Sequence, residues 1–324
     1  MHIRPFAPDD YPAVVDIHNS LNIVWPERPR TPEAWAATDR NRGANYKLQR
    51  WVAVEEDRVV GFSSYAQGPW EYPPQSFYVN VEVFPDYQRR GIGSALYDQV
   101  MEGLQAFHPP ALRADAFTNL PQGFTFLQKR GFYEAFRETP VHLDVAAFDP
   151  GPYAGLEAKL KAEGIVIKTL QELETDPGRD RKVYDLYWEA NRDVPHEGEE
   201  SEKPDFDAWL SWGFNDLSIL HDAYFIAVHG DEYIGLREMG KYPDSDMLLG
   251  SLLGVRREYR NRGIGLAMQL RGIAYAREHG YRLLKTCTAI QNAPMQALFN
   301  KLGYARDPEW QQCQRDINQG ARTA

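Results

Sequence analysis

The run Gln88-Arg89-Arg90-Gly91-Ile92-Gly93-Ser94 returns later in the chain as Arg260-Asn261-Arg262-Gly263-Ile264-Gly265-Leu266. Each copy follows an apolar run of strand character, 79–84 and 248–255, and leads into a segment of helical periodicity, 95–104 and 267–277. A strand, a tight turn with two glycines and a helix start form a recipe for holding a pyrophosphate. Glycine lets the backbone approach the anion without a Cβ in the way, and the unpaired N–H groups of the first helical turn point at it. The flanking arginines add charge-assisted hydrogen bonds worth about 1.5–3 kcal/mol each where solvent is partly excluded. A Walker loop is excluded, because no Gly-Lys-Ser/Thr follows.

The repeat is much larger than the loop. Gly91 and Gly263 lie 172 positions apart (263 − 91), as do Gly131 and Gly303 in Lys-Arg-Gly-Phe and Lys-Leu-Gly-Tyr (303 − 131). Upstream, Gly61 and Gly235 are separated by 174 positions (235 − 61), and so are Trp35 and Trp209 (209 − 35). A near-constant offset over such distant landmarks means duplicated domains, since solenoid repeats run about 20–50 residues. The 324-residue length suits two domains, each with its own core. Pro and Gly punctuate 149–155, so the expected domains are 1–148 and 156–324, with a short helix at 156–163 leading into a strand at 165–170.

Within each half the patterning reads strand, helical region, strand, strand, long strand, helix, strand, helix, strand. This predicts the α/β (α+β) class: two tandem domains, each a mixed, mostly antiparallel sheet flanked by helices. The formal charge of −10 disfavours a nucleic-acid partner. No stretch approaches the roughly 20 apolar residues that span a bilayer, so no membrane association is expected. Cys287 and Cys313 form no ligand-like pair and point to a reducing, cytoplasmic setting; no metal site is expected. Cys287 reads as a small strand residue rather than a nucleophile. Trp70, Tyr72, Phe77 and Tyr78 read as core aromatics or a pocket lining, and Trp209 with Trp212, after the acidic run 197–202, as a corresponding lid or an exposed loop.

At this level of detail the chain resembles the GNAT (GCN5-related) acyltransferases. The resemblance rests on Gln/Arg-x-x-Gly-x-Gly after a strand ending in Val, then a helix, then Gly-Phe/Tyr forty positions on. It covers both halves, and the tandem arrangement is similar to the two-domain mycothiol synthase group. Asn292, Met295 and Leu302-Gly303-Tyr304 match a further family signature, which makes the C-terminal half the better-preserved copy by sequence. Asn292 also reads as a helix N-cap with Pro294 in the first turn.

The resemblance implies an acetyl-CoA thioester as cosubstrate, bound in a gap between the fourth and fifth strands, and a small-molecule amine as acceptor. Val81, Glu82 and Val83, or Leu253, Gly254 and Val255, would grip the pantetheine. Gln88, Arg89, Arg90, Gly91, Ile92, Gly93 and Ser94, or Arg260, Asn261, Arg262, Gly263, Ile264, Gly265 and Leu266, would hold the pyrophosphate, and Asn292 would face the pantetheine arm. Two family positions differ: the acidic Tyr is Leu127 or Phe299, and the basic Glu is Phe77 or Leu249. Glu82, Glu238, Asp244 and Asp246 are the remaining candidates for a base, with Glu82 and Glu238 put first. A silent CoA-binding protein is the alternative to an N-acetyltransferase.

Overall fold

The computed structural model describes residues 1–21, 30–41, 46–67, 76–195, 203, 205–210, 218–241 and 245–317. Trp70, Tyr72, Trp212, Asp244 and the run 197–202 lie outside them. The chain forms two compact units, residues 1–137 with 308–324, and residues 138–307.

Unit 1 opens with β1 (His2–Pro5), α1 (Tyr11–Leu21) and α2 (Pro32–Asn41), followed by β2 (Leu48–Glu55), β3 (Arg58–Ala66) and β4 (Phe77–Val83). Then come α3 (Ile92–Leu104), β5 (Ala111–Phe117), α4 (Pro121–Gln128) and the start of β6 (Tyr133–Asp144). Period-two alternation builds a core on each face of the sheet. Val52, Val54 and Phe62 pack with Val14, Ile17 and Trp35 from α1 and α2. Trp51 and Tyr65 pack with Tyr97, Val100 and Leu104 of α3.

Unit 2 repeats the plan with α5 (Leu156–Ala162), β7 (Ile165–Thr169), α6 (Arg179–Asn191) and α7 (Phe206–Trp209). It continues through β8 (Phe225–His229), β9 (Glu232–Lys241), β10 (Met247–Val255), α8 (Ile264–Glu278), β11 (Leu283–Ala289), α9 (Ala293–Leu302) and β12 (Ala305–Arg306). Leu236 and Ile226 face the α6 core, while Phe225 and Met239 face the α8 core. In both units neighbouring strands run antiparallel except β4 with β5 and β10 with β11, which are parallel.

The units do not follow a cut at 148–156. Residues 138–144 of β6 pair with β11 in unit 2, and β13 (Trp310–Asp316) pairs with β5 in unit 1 over seven positions, from Trp310↔Phe117 to Asp316↔Ala111. Each unit thus takes its closing strand from the other half of the sequence. Both closing strands follow the same helix–Gly–aromatic signature, so nothing local distinguishes their partners. The expected linker also belongs to unit 2: Arg277 donates to the carbonyls of Val145 and Phe148, and Tyr153 donates to that of Lys301.

Candidate active site

In each unit the two parallel strands pair only at their bases. β4 meets β5 at Phe77↔Leu112 and Tyr78↔Arg113, and β10 meets β11 from Met247↔Leu283 to Leu249↔Lys285. Beyond those pairs the strands part into a fork. β4 stays in register with β3 up to Gly61↔Val83, and Phe84 donates its N–H to Val60 O at 3.0 Å. Alternation of the antiparallel ladder then gives the Glu82 backbone to β3 and turns the backbone groups of Val81 and Val83 to the open side. β10 carries a register break between Gly250 and Leu253.

The loops at the fork mouths are near-copies in backbone. Arg89 and Gly91 sit at φ 64° and 86°, Asn261 and Gly263 at φ 62° and 89°. Gly91 and Gly263 are the N-caps of α3 and α8, and neither helix start has a side-chain cap. The first intrahelical bonds run from Ala95 N–H to Gly91 O and from Ala267 N–H to Gly263 O, leaving the amides of 92–94 and 264–266 without intrahelical partners. The helices start three residues earlier than the periodicity predicts, so these amides form true first turns. A cradle of aligned donors at a helix start fits a diphosphate.

The loops differ in what surrounds them. In unit 1 a Cβ on Gly91 would meet open space, and Arg89 has no ion pair among the described residues. Arg90 donates to the Asp86 carbonyl, lies over the Tyr87 ring and comes within 3.9 Å of Glu55. Arg130, from the end of α4, donates to Ser94 Oγ at 2.8 Å and brings one more cation beside the loop. In unit 2 Arg260 and Arg257 are both ion-paired to Asp193, and Arg262 donates to Glu163 at 2.7 Å. Arg257 first and Arg260 second hold the Asp193 carboxyl down to about 2. Leu156 of α5 comes within 3.0 Å of where a Gly263 Cβ would stand. In unit 2 a leucine lies against the loop glycine and the loop arginines are paired with carboxylates of the same unit.

On the other face of each fork the divergence is chemical. His18, one turn beyond Val14 and Val15 on the buried stripe of α1, reaches Glu82 on β4, with Nδ1 3.0 Å from Oε1 and 3.1 Å from Oε2. Asn80, two residues back on the same strand face, donates to Glu82 Oε1 at 2.8 Å. The Trp35 indole packs edge-on against His18, with centroids 5.2 Å apart. Glu82 is 14% exposed, and a carboxylate only accepts, so His18 Nδ1 is the donor and Nε2 is turned away from the pair. At the matching places in unit 2 stand Ala190 and Gly254, so closely packed that a Cβ on Gly254 would run into that of Ala190.

Of the other residues named from sequence, Glu238 lies on the α6 face near Tyr187 and Tyr224, whose phenols are pushed up by burial first and by Glu238 second. Asp246 is spent on an exposed ion pair with Arg282. Asn292 is the N-cap of α9, accepting from Met295 N–H at 3.3 Å. Leu127, Phe299 and Phe77 are buried in the cores. The Cys287 thiol is pushed up by burial. Among the described residues no cluster of three His, Cys, Asp or Glu could hold a metal ion, and no helix is long and apolar enough to cross a membrane. Sequence reasoning missed His18 and Asn80. Asn80 alternates with Glu82 along the strand and was legible in principle; His18 needed the contact between α1 and β4.

The acetyltransferase (GNAT) family model matches twice, at residues 13–132 and 181–304. The chain belongs to this family. Among curated relatives it is similar to the mycothiol acetyltransferases of Rhodococcus opacus (23% identical over 267 residues, 80% of each chain) and Acidothermus cellulolyticus (25% over 286 residues, 81% of this chain and 77% of the relative). Its fold resembles that of a tandem GNAT protein from the clavulanic acid biosynthesis pathway, with TM-score 0.68 at 20% identity, covering 97% of this chain and 98% of that one.

Proposed function

We propose that the protein is an acetyl-CoA-dependent N-acetyltransferase acting on a small-molecule amine, with the transfer centre in unit 1. The His18–Glu82 pair beside an open, cationic fork carries this reading. The amides of 92–94, with Arg89, Arg90 and Arg130, would hold the diphosphate, and the Val81 and Val83 backbone would line the pantetheine. When bound, the carrier supplies an acyl group activated as a thioester.

An alkylamine with a pKa of about 10.4 must lose a proton before attack, which costs roughly 4–5 kcal/mol at neutral pH. His18 Nε2 takes that proton. Glu82 acts as a positioning residue, fixing the tautomer through Nδ1–H and offsetting the imidazolium charge. The amine nitrogen bonds the acyl carbon, the carbon–sulfur bond breaks, the nitrogen releases its second proton to water, and the leaving thiolate takes the proton that the imidazolium holds. Fixing amine and thioester side by side can supply about 7–11 kcal/mol more.

The test is free-thiol release across a panel of amines by the His18→Ala protein. A fall in kcat of about 10²-fold with acetyl-CoA affinity unchanged is expected; an unchanged kcat would remove His18 from the chemistry. The second reading, a catalytically silent CoA-binding protein, is favoured by the buried Leu127 and Phe299 at the positions of the family's acid. Carrier binding without thiol release for any amine would select it.

A further inference from the structure

Arg237 of β9 is fully buried; Nη1 donates to Ser251 O at 2.9 Å, while among the described residues Nε and Nη2 have no hydrogen-bond partner. Its burial pushes the guanidinium down to about 10, so it stays charged at neutral pH. Its position is specific. Gly250 is the first residue of β10 beyond the last pair with β11, and a Cβ there would overlap the guanidinium. Glycine at that point leaves the space the cation fills.

The side chain lies on the α8 face. Along β9 it alternates with Gly235 and Met239, which face Met268 and Gly272 of α8. Gln269 of α8 donates to Tyr304, and among the described residues its own Oε1 is also without a partner. The α8 face is the side on which the loop opens towards a diphosphate, hence the donor side of the fork and not the acceptor side. In unit 1 the same ladder position is Ser63, opposite Val81 as Arg237 is opposite Leu253. Ser63 is likewise fully buried, and its Oγ has no partner among the described residues. One fork thus ends in a small neutral donor and the other in a cation with two donors to spare.

We propose that the unit 2 fork is built for an acyl thioester whose acyl chain ends in a carboxylate, received by Arg237. This rests on the reading that the forks bind a coenzyme A thioester. A buried guanidinium with unfilled donors calls for a carboxylate, which accepts two parallel N–H bonds and neutralises the charge. A methyl group, as in an acetyl donor, leaves both donors empty. The internal pairs at the unit 2 loop fit the same scheme: a diphosphate must displace Glu163 and Asp193, so the acyl end decides which carrier stays.

The test is isothermal titration of the full chain with acetyl-CoA, succinyl-CoA and free succinate, in wild type and Arg237→Met. In wild type one site is expected to bind succinyl-CoA at least tenfold tighter than acetyl-CoA. In Arg237→Met that gap is expected to close while acetyl-CoA binding stays unchanged. Free succinate should give no saturable heat at the same concentrations. Equal wild-type affinity for the two thioesters, a gap that survives in Arg237→Met, or succinate binding as tightly as succinyl-CoA would each overturn the proposal. Should the Met protein fail to fold, Arg237→Lys keeps a charge but loses the two-pronged geometry and must still narrow the gap. Acetyl-CoA binding without a succinyl preference defeats this inference alone; no binding of either thioester defeats the reading beneath it.

Discussion

The two units share a backbone and differ in chemistry. Along the ladders Glu82 becomes Gly254 and Ser63 becomes Arg237, and on the helix that covers them His18 becomes Ala190, while the fork and the left-handed loop residues are kept and β10 alone breaks register. Strand register and helix starts are set by main-chain hydrogen bonds and apolar alternation, which tolerate polar exchange at the lining positions. Sequence signatures follow the backbone. That is why the C-terminal half looked better preserved, with its Asn292 and Leu302-Gly303-Tyr304, while the histidine–carboxylate pair stands in the N-terminal unit.

Disruption of that pair should have the largest effect. Beyond the His18→Ala test, Glu82→Gln should lower kcat about tenfold and move the pH–rate profile, with KM for acetyl-CoA unchanged; a merely structural Glu82 would leave the pH profile in place. Next comes the matching position in unit 2. Gly254→Ala forces a methyl against Ala190 and should cost about 1–3 kcal/mol of stability in chemical denaturation, through overpacking. An unaltered midpoint would mean that α6 can move away from β10.

A smaller effect concerns the covered loop. Glu163→Gln frees Arg262, and since a part-exposed pair is worth roughly 0.2–1 kcal/mol, it should tighten any CoA binding in unit 2 by about 1.4- to fivefold in a titration. Weaker or equal binding would show that Glu163 does not compete with phosphate. The smallest effect is on acid stability. The Asp176 carboxyl is held at about 2 by Lys182 first and the Gly178 amide second, and that of Asp193 at about 2 by Arg257 and then Arg260. Both lie below the ordinary 3.8, so their stabilisation is fully present above about pH 4 and is lost as pH falls through 2. Asp176→Asn and Asp193→Asn should therefore lower the melting temperature at pH 6 and by much less at pH 2.

Much of this was legible in the chain. The loops carry their own backbone instructions, and alternation in 51–54 and 225–228 assigns residues to two faces before any contact is known. Glu82 could be placed opposite its neighbours by strand parity, and no register break intervenes in β4. Strand exchange was not legible, because β6 and β13 compete for the same kind of edge and only tertiary register chooses between them. Nor was His18: a lone histidine on an amphipathic helix reveals nothing until α1 is laid across β4. Arg237 sits inside an apolar strand pattern, where sequence alone gives no reason for a charge.

The asymmetry itself is tested most directly by turnover in two single variants. Gly91→Val and Gly263→Val each place a β-branched residue at φ near +90°, a conformation such residues avoid, at the mouth of one fork. Thiol release from acetyl-CoA with an accepted amine should fall by two orders of magnitude or more in Gly91→Val and stay within about twofold of wild type in Gly263→Val. Loss of turnover in Gly263→Val, with Gly91→Val still active, would move the chemistry to unit 2 and contradict the account.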